Sequence, residues 1–288
     1  MENSDFLRLL DNSGFIENAL LEDLGEGDHT TLATLSPDLQ GNCRALVKGS
    51  GIIAGITFAK EVFRKMDASV QFVQHFEDGV AVKPGDILFT AQGKVSVLLL
   101  AERLVLNVMQ RMSGIATTTR RACDLISDFN CSVLDTRKTV PLNRILDKWA
   151  VKLGGGVNHR FGLYDMILVK DNHIDWAGGI KPALESVQKY LTVNKRALPV
   201  EVEARTLAEI KQILEFDFVD RILLDNMEVN EMKTAVQMIA GKTETEASGN
   251  ITLENIKDKA SSGVNYVSLG WLTHSVQSLD ISLKAEKS

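Results

Sequence analysis

Apolar and polar positions change their rhythm near residue 110. Before it lie short mixed segments: Arg44 to Lys48, Gly51 to Gly55, Val70 to Phe76 and Val95 to Leu100. Val82-Lys83-Pro84-Gly85-Asp86 is turn chemistry, with proline fixing φ and glycine free to take positive φ. These segments predict a small α+β domain with antiparallel strands. Ala101 to Arg120 carries Leu104, Val105, Val108, Met109 and Met112, the spacing of a helix with one buried face. Both methionines are read as core. Beyond it, short apolar runs predict strands at Cys131–Leu134, Met166–Val169, Val200–Val202, Arg221–Leu224, Thr243–Glu246 and Tyr266–Leu269. Helical patterns fall between them at Asn143–Leu153, Pro182–Leu191, Leu207–Leu214, Glu228–Ala240 and Leu253–Ser261. Buried strands alternating with helices predict a parallel α/β sheet, open or closed.

Each run stops at a polar residue or a glycine. The endings are Asp135-Thr136-Arg137-Lys138-Thr139, Lys170-Asp171-Asn172-His173, Glu203, Asp225-Asn226, Ser248-Gly249-Asn250 and Gly270. In an α/β barrel the C-terminal edge of the strands carries the active site. Small residues at Ser248-Gly249 would expose backbone N–H groups to a phosphate. Gly154-Gly155-Gly156 reads instead as a helix cap and turn.

Composition narrows the function classes. The chain has 288 residues, 44% hydrophobic and 24% charged, ordinary for a globular protein. Its net charge of -6 argues against non-specific nucleic-acid binding. Three cysteines without metal-like spacing predict neither a disulfide framework nor a cysteine-rich metal site. The polar start and the short apolar stretches predict no secretory signal and no membrane span, hence a cytoplasmic protein.

Against that acidic average, Arg137 to Lys170 holds seven basic residues and two acids, 7 − 2 = +5. Lys148 and Lys152, four apart, read as a solvated helix face. Arg137, Lys138, Arg160 and Lys170, with His159, fall beside predicted strand ends. Converging cations repel one another unless an anion sits among them, and arginine forks suit carboxylates or phosphates. His75 and His274 read as packing or surface histidines. Trp149, Trp176 and Trp271 show no spacing of a stacking platform.

Taken together these residues resemble the quinolinate phosphoribosyltransferase family, the carboxylating nicotinate-nucleotide pyrophosphorylases of NAD biosynthesis. The resemblance covers nearly the whole chain. It is most specific from Asp135-Thr136-Arg137-Lys138-Thr139 through Gly154 to Leu163 and on to Lys170-Asp171-Asn172-His173-Ile174. Glu22-Asp23 with Gly27 to Thr31, Glu102-Arg103-Leu104, Glu201-Val202-Glu203, Leu223 to Asn226, Ser248-Gly249 and Gly270 support it.

The resemblance implies an α/β protein: an N-terminal α/β sandwich (α+β) domain, 1–110, and an incomplete TIM-like α/β barrel, 111–275. The tail, about 276–288, would return to the first domain. It implies a homodimer with shared active sites. Arg137, His159, Arg160 and Lys170, with Arg103 of the neighbouring subunit, would hold quinolinate. Lys138, Glu203 and Asp225 are the implied catalytic residues. They would also meet phosphoribosyl pyrophosphate, whose 5-phosphate Ser248, Gly249 and Gly270 would cradle. Mg²⁺ would arrive on the pyrophosphate, with no protein metal site.

Two departures from the family pattern stand out. Val140-Pro141-Leu142-Asn143-Arg144 replaces Thr-Pro-Gly-Leu-Arg, and Asn250 stands where glycine is common. Other readings stand beside this one. One is an aldolase-like enzyme with Lys170 as a Schiff-base nucleophile. A second is a non-catalytic anion-binding relative. A third is a relative that uses nicotinate.

Overall fold

The computed structural model describes residues 2–286. Met1 and the last two residues of the expected returning tail, 287 and 288, lie outside them. Among the described residues no helix is long and apolar enough to cross a membrane.

The chain opens with α1 (Asn3–Ser13), α2 (Phe15–Leu24) and α3 (His29–Thr34). Next come β1 (Gln40–Val47), β2 (Gly51–Ile52), α4 (Ile56–Met66), β3 (Gln71–Gln74), β4 (Ala81–Val82), β5 (Ile87–Lys94) and α5 (Val95–Leu125). The alternating part contains β6 (Ser132–Leu134), α6 (Arg144–Leu153), β7 (Ile167–Val169), α7 (Asp171–Ala177), α8 (Ile180–Asn194) and β8 (Val200–Ala204). It continues with α9 (Leu207–Ile213), β9 (Arg221–Asp225), α10 (Val229–Ile239), β10 (Glu244–Ser248), α11 (Ile256–Ala260) and β11 (Tyr266–Ser268), before α12 (Trp271–His274) and β12 (Ile281–Glu286).

Two compact units emerge. One holds the chain up to Arg120, Thr139–Gly155 and everything from Trp271 on; the other holds Arg121–Lys138 and Gly156–Gly270. Of the expected 111–275 domain, residues 111–120, 139–155 and 271–275 fall in the first unit in this division.

The first unit is built on an antiparallel sheet of order β12-β1-β5-β3. The tail strand β12 pairs with β1, from Asn42 opposite Glu286 to Val47 opposite Ile281. α4 buries Ile56, Phe58, Ala59, Val62 and Phe63, one face at helical spacing. The Asp78 carboxylate accepts from Ile56 N (2.9 Å) and Thr57 N (3.0 Å) at its start. Phe63, Phe72 and Phe89 cluster with centroids 4.6–6.1 Å apart, Phe72 stacked on Phe89 and Phe63 edge-on to Phe89, arrangements favoured beyond their buried area.

Two readings are corrected here. Val95–Leu100 is not a separate short segment; it is the first part of the 31-residue α5. Its leucines lead into Ala101 and Glu102, all good helix formers, while the strand is the preceding Ile87–Lys94. Nor is Lys148 solvated: it is wholly buried with Asp147, whereas Lys152 is exposed. Arg111 grips Asp147 through both oxygens (2.8 and 2.9 Å) and donates to Thr273 O (2.8 Å). The i, i+4 spacing fixes a shared face but not what covers it.

The second unit is a six-stranded parallel sheet of order β6-β11-β10-β9-β8-β7. That is barrel order with the β6–β7 seam unclosed. Val157 pairs with the free edge of β6, its N–H donating to Val133 O (2.8 Å) and its carbonyl accepting from Asp135 N (3.3 Å). The segment that follows Val157 therefore passes the end of β6. Along β8 the period of two puts Glu201 and Glu203 on the face opposite Val200 and Val202. The same alternation groups Arg221, Leu223 and Asp225 on β9, and Glu244, Glu246 and Ser248 on β10.

Candidate active site

The strand ends of the second unit meet at one edge. Asp135, the residue after β6, is fully buried and organises the neighbouring segment. Its carboxylate accepts from His159 N (2.8 Å) and from Asn158 Nδ2 (2.7 Å). This fixes the backbone from which His159 and Arg160 project. Asp165 then closes a turn by accepting from Phe161 N (2.7 Å) and Gly162 N (2.9 Å). The Arg160 guanidinium donates to Met166 O (3.1 Å).

The cations converge. Burial, and after it the positive charge of Arg137, pushes Arg160 below the usual guanidinium range. Arg160 and Lys170 both act on the buried Glu201, and Lys170 also acts on Glu203. Three basic groups from three separate segments thus share one neighbourhood, where a bound anion would relieve their repulsion.

The acids lie alongside. Glu203 is 6% exposed, and burial, Asp225 and Asp171 raise its pKa, partly offset by a weak contact from Asp171 N (3.4 Å) and by Lys170. Ser248 pairs with Asp225 in register across β9 and β10. The loops after these strands interlock: Asn226 N donates to Ser248 O (2.9 Å) and Asn226 Nδ2 to Asp225 Oδ2 (2.8 Å). Gly249, at φ 90°, lies against the Asn226 amide so closely that a Cβ has no room. Asn250 takes φ 51° and donates to Asn226 Oδ1 (3.0 Å). Asparagine tolerates the left-handed region better than other side chains, so this departure preserves the loop's conformation.

Gly270, at the end of β11, faces Lys138 from the neighbouring β6 end. A Cβ there would sit 2.7 Å from Lys138 Cδ and 3.4 Å from its Nζ. The second unit therefore brings together Arg137, Lys138, Arg160, Lys170, Glu203, Asp225, Ser248, Gly249 and Gly270. Arg103 belongs to the first unit, exposed on α5.

His159 is in the cluster, but its ring faces protein. Nδ1 accepts from Arg160 N (2.7 Å). Nε2 lies 2.9 Å from Glu201 Oε2 and 3.5 Å from Glu246 Oε2. Both ring nitrogens are thus engaged with protein groups, and the residue is 8% exposed.

Sequence reasoning missed the layer beneath. Glu201 and Glu246 are buried, with Arg221 Nη1 3.3 Å from Glu246 and its guanidinium carbon 4.1 Å above the Tyr266 ring. The available signal was acid at alternate positions in Val200-Glu201-Val202-Glu203 and Glu244-Thr245-Glu246, which puts charge on a face where buried strands carry apolar residues.

Known proteins resemble the chain along nearly its whole length. Residues 28–113 match the quinolinate phosphoribosyl transferase N-terminal domain, and residues 115–284 its C-terminal domain. Quinolinate phosphoribosyltransferase (decarboxylating) 1b of Nicotiana tabacum is 46% identical over 291 residues, covering 96% of this chain and 83% of that protein. A probable nicotinate-nucleotide pyrophosphorylase (carboxylating) of Bacillus subtilis is 41% identical, covering 93% and 91%. The crystal structure of NadC from Streptococcus pyogenes superposes with a TM-score of 0.90 at 38% identity, covering 96% of each chain. With both of its domains matched and relatives this similar from end to end, the chain belongs to the quinolinate phosphoribosyltransferase family.

Proposed function

We propose that the chain transfers the phosphoribosyl group of phosphoribosyl pyrophosphate to quinolinate and decarboxylates the product. This yields nicotinate mononucleotide, pyrophosphate and CO₂ in NAD biosynthesis. The carrying observation is the convergence of Arg137, Arg160 and Lys170 beside Glu203 and Asp225 at one strand-end edge. Family membership supports the same reaction.

In this reading Arg137, Arg160 and Lys170 hold the two ring carboxylates, each charge-assisted hydrogen bond contributing about 1.5–3 kcal/mol. They aim the pyridine nitrogen at the anomeric carbon, a positioning effect. The nitrogen lone pair forms the new C–N bond while the bond to pyrophosphate breaks, its electron pair leaving with the pyrophosphate oxygen. Positive charge develops on the ribose, where Glu203 and Asp225 stabilise it and fix the hydroxyls. Lys138 offsets the charge gathering on the leaving group, and Ser248, Gly249 and Gly270 seat the 5-phosphate. The pyridinium then accepts the electrons of the breaking C–CO₂ bond, and the ring carbon takes a proton from water. Mg²⁺ belongs to the pyrophosphate substrate in this scheme.

Incubation with quinolinate, phosphoribosyl pyrophosphate and Mg²⁺ should release CO₂ and pyrophosphate in equal amounts. Pyrophosphate release with nicotinate instead would favour the monoacid reading; release from neither acid would remove the enzymatic one. We further propose a cytoplasmic homodimer in which Arg103 reaches the neighbouring site. Mixing inactive Arg103→Ala and Lys138→Ala proteins should then restore about a quarter of native activity, through mixed dimers with one intact site. No recovery would confine Arg103 to its own subunit.

A further inference from the structure

Beneath the cations, the inner face of the second unit closes over a pair of carboxyl groups that the proposed reaction does not use. Glu201 on β8 and Glu246 on β10 are 0% and 1% exposed. The Glu201 oxygens meet no backbone or hydroxyl donor; they face His159 Nε2 and the Glu246 carboxyl, and the three groups' polar atoms lie within 4.8 Å of one another. Both acids face the same imidazole nitrogen, at 2.9 and 3.5 Å. The opposite nitrogen, Nδ1, accepts from the Arg160 backbone N–H (2.7 Å). A nitrogen that accepts carries no proton, so the ring's proton sits on Nε2, toward the acids.

We propose that Glu201 and Glu246 are positioning residues that share one proton beneath His159, hold its imidazole in the Nε2–H form, and so fix the Arg160 main chain that presents the carboxylate-binding guanidinium. The charges around the pair fit this state. Arg221 from β9 supplies one positive charge (3.3 Å from Glu246) and divides it with Glu244 at the start of β10. Tyr266 from β11 lies under the Arg221 guanidinium and donates to Glu244 (3.0 Å). Arg160 and Lys170 act on Glu201 from the mouth. Two ionised carboxylates this close and this dry repel each other strongly, so one keeps its proton. Burial and the Glu201 charge push Glu246 up to about 7, while His159, Ser268 and Arg221 pull it back; burial also raises Glu201.

The consequence is a pH-sensitive support. When the shared proton is lost to solvent as pH rises, two full negative charges face the one Nε2–H. Their repulsion drives the carboxylates apart, the ring follows the one to which it still donates, and Nδ1 turns away from the Arg160 N–H, releasing Arg160 from its position.

The effect on quinolinate rests on the activity proposed above; the tautomer does not, so the test reads both. Nitrogen-15 shifts of His159 in the wild-type protein should report Nε2–H and an unprotonated Nδ1 at pH 6, with a change as pH rises past about 7. The KM for quinolinate should rise about tenfold between pH 6 and pH 8, if only the singly protonated pair supports binding. Glu246→Ala should raise KM at both pH values, and Glu246→Gln should rescue it at pH 6 and flatten the rise. An Nδ1–H tautomer at pH 6, or a KM that does not change with pH in the wild type, would overturn the proposal. So would a Glu246→Gln protein with the wild-type rise. A protein that shows the expected shifts but does not turn over quinolinate would count against the substrate, not against the proton pair.

Discussion

Gly270→Ala separates catalytic geometry from stability. Gly270 is outside the left-handed region, so alanine meets no backbone penalty. The new methyl would stand 2.7 Å from Lys138 Cδ. Ordinary carbon–carbon contact is about 3.5–4.0 Å, so one partner must give by roughly 1 Å. Lys138 is exposed and the atom met is far along its side chain, so the side chain shifts rather than the backbone, and folding stability changes by no more than about 0.5 kcal/mol. The ammonium is then misplaced by about the same distance. A 1 Å error in a catalytic group costs on the order of 10²-fold in rate. We therefore expect pyrophosphate release to fall by about two orders of magnitude, with the urea midpoint nearly unchanged. Because the methyl acts through Lys138, the Lys138→Ala/Gly270→Ala double variant should be no slower than Lys138→Ala alone. Additive losses would mean the methyl obstructs the substrate directly. Turnover of Gly270→Ala within twofold of the parent would refute the reasoning altogether.

Arg160→Ala should lower kcat/KM by a transition-state cost of at least about 2 kcal/mol, as truncation of a desolvated charge partner does; unchanged turnover would remove Arg160 from the site. Leu142 takes φ 65° at the third position of a turn closed by Asn143 N–H to Val140 O (3.1 Å), where glycine is the usual residue. Leu142→Gly should relieve that strain and raise stability by about 0.5–1 kcal/mol after the flexibility penalty of glycine, readable as a higher urea midpoint. Glu246 gives a pH signature in folding. Its folded pKa of about 7 exceeds the ordinary 4.5, so the stabilisation tied to its proton is full below pH 4.5 and lost as pH rises through 7. Relative to wild type, Glu246→Gln should therefore gain stability at pH 8 over pH 5; an equal difference at both pH values would contradict the burial argument.

Much of the second unit was legible as a string. Buried parallel strands demand short apolar runs, and the runs at Val200, Arg221 and Tyr266 became β8, β9 and β11 with boundaries within a residue or two. Their polar ends were legible for the same reason: an apolar run that stops at a charge shows where its strand leaves the core. The first unit was harder. β5 (Ile87–Lys94) alternates burial but carries Thr90, Gln92 and Gly93, which blur the pattern. Val95–Leu100 is apolar enough for either element, and the long α5 that follows decides it.

What the sequence determined by itself is the order of elements and the identity of the charged groups at the strand ends, because both depend on local periodicity and residue type. Tertiary structure alone decided what those groups face. Lys148 and Lys152 share a spacing, but only Lys148 is buried. His159 carries the right chemistry for an anion, but Arg160 N, Glu201 and Glu246 occupy its nitrogens. Gly270 is a glycine because Lys138, 132 residues earlier, lies across it. Such facts depend on partners distant in the chain, and tertiary packing is what brings those partners within a few ångströms.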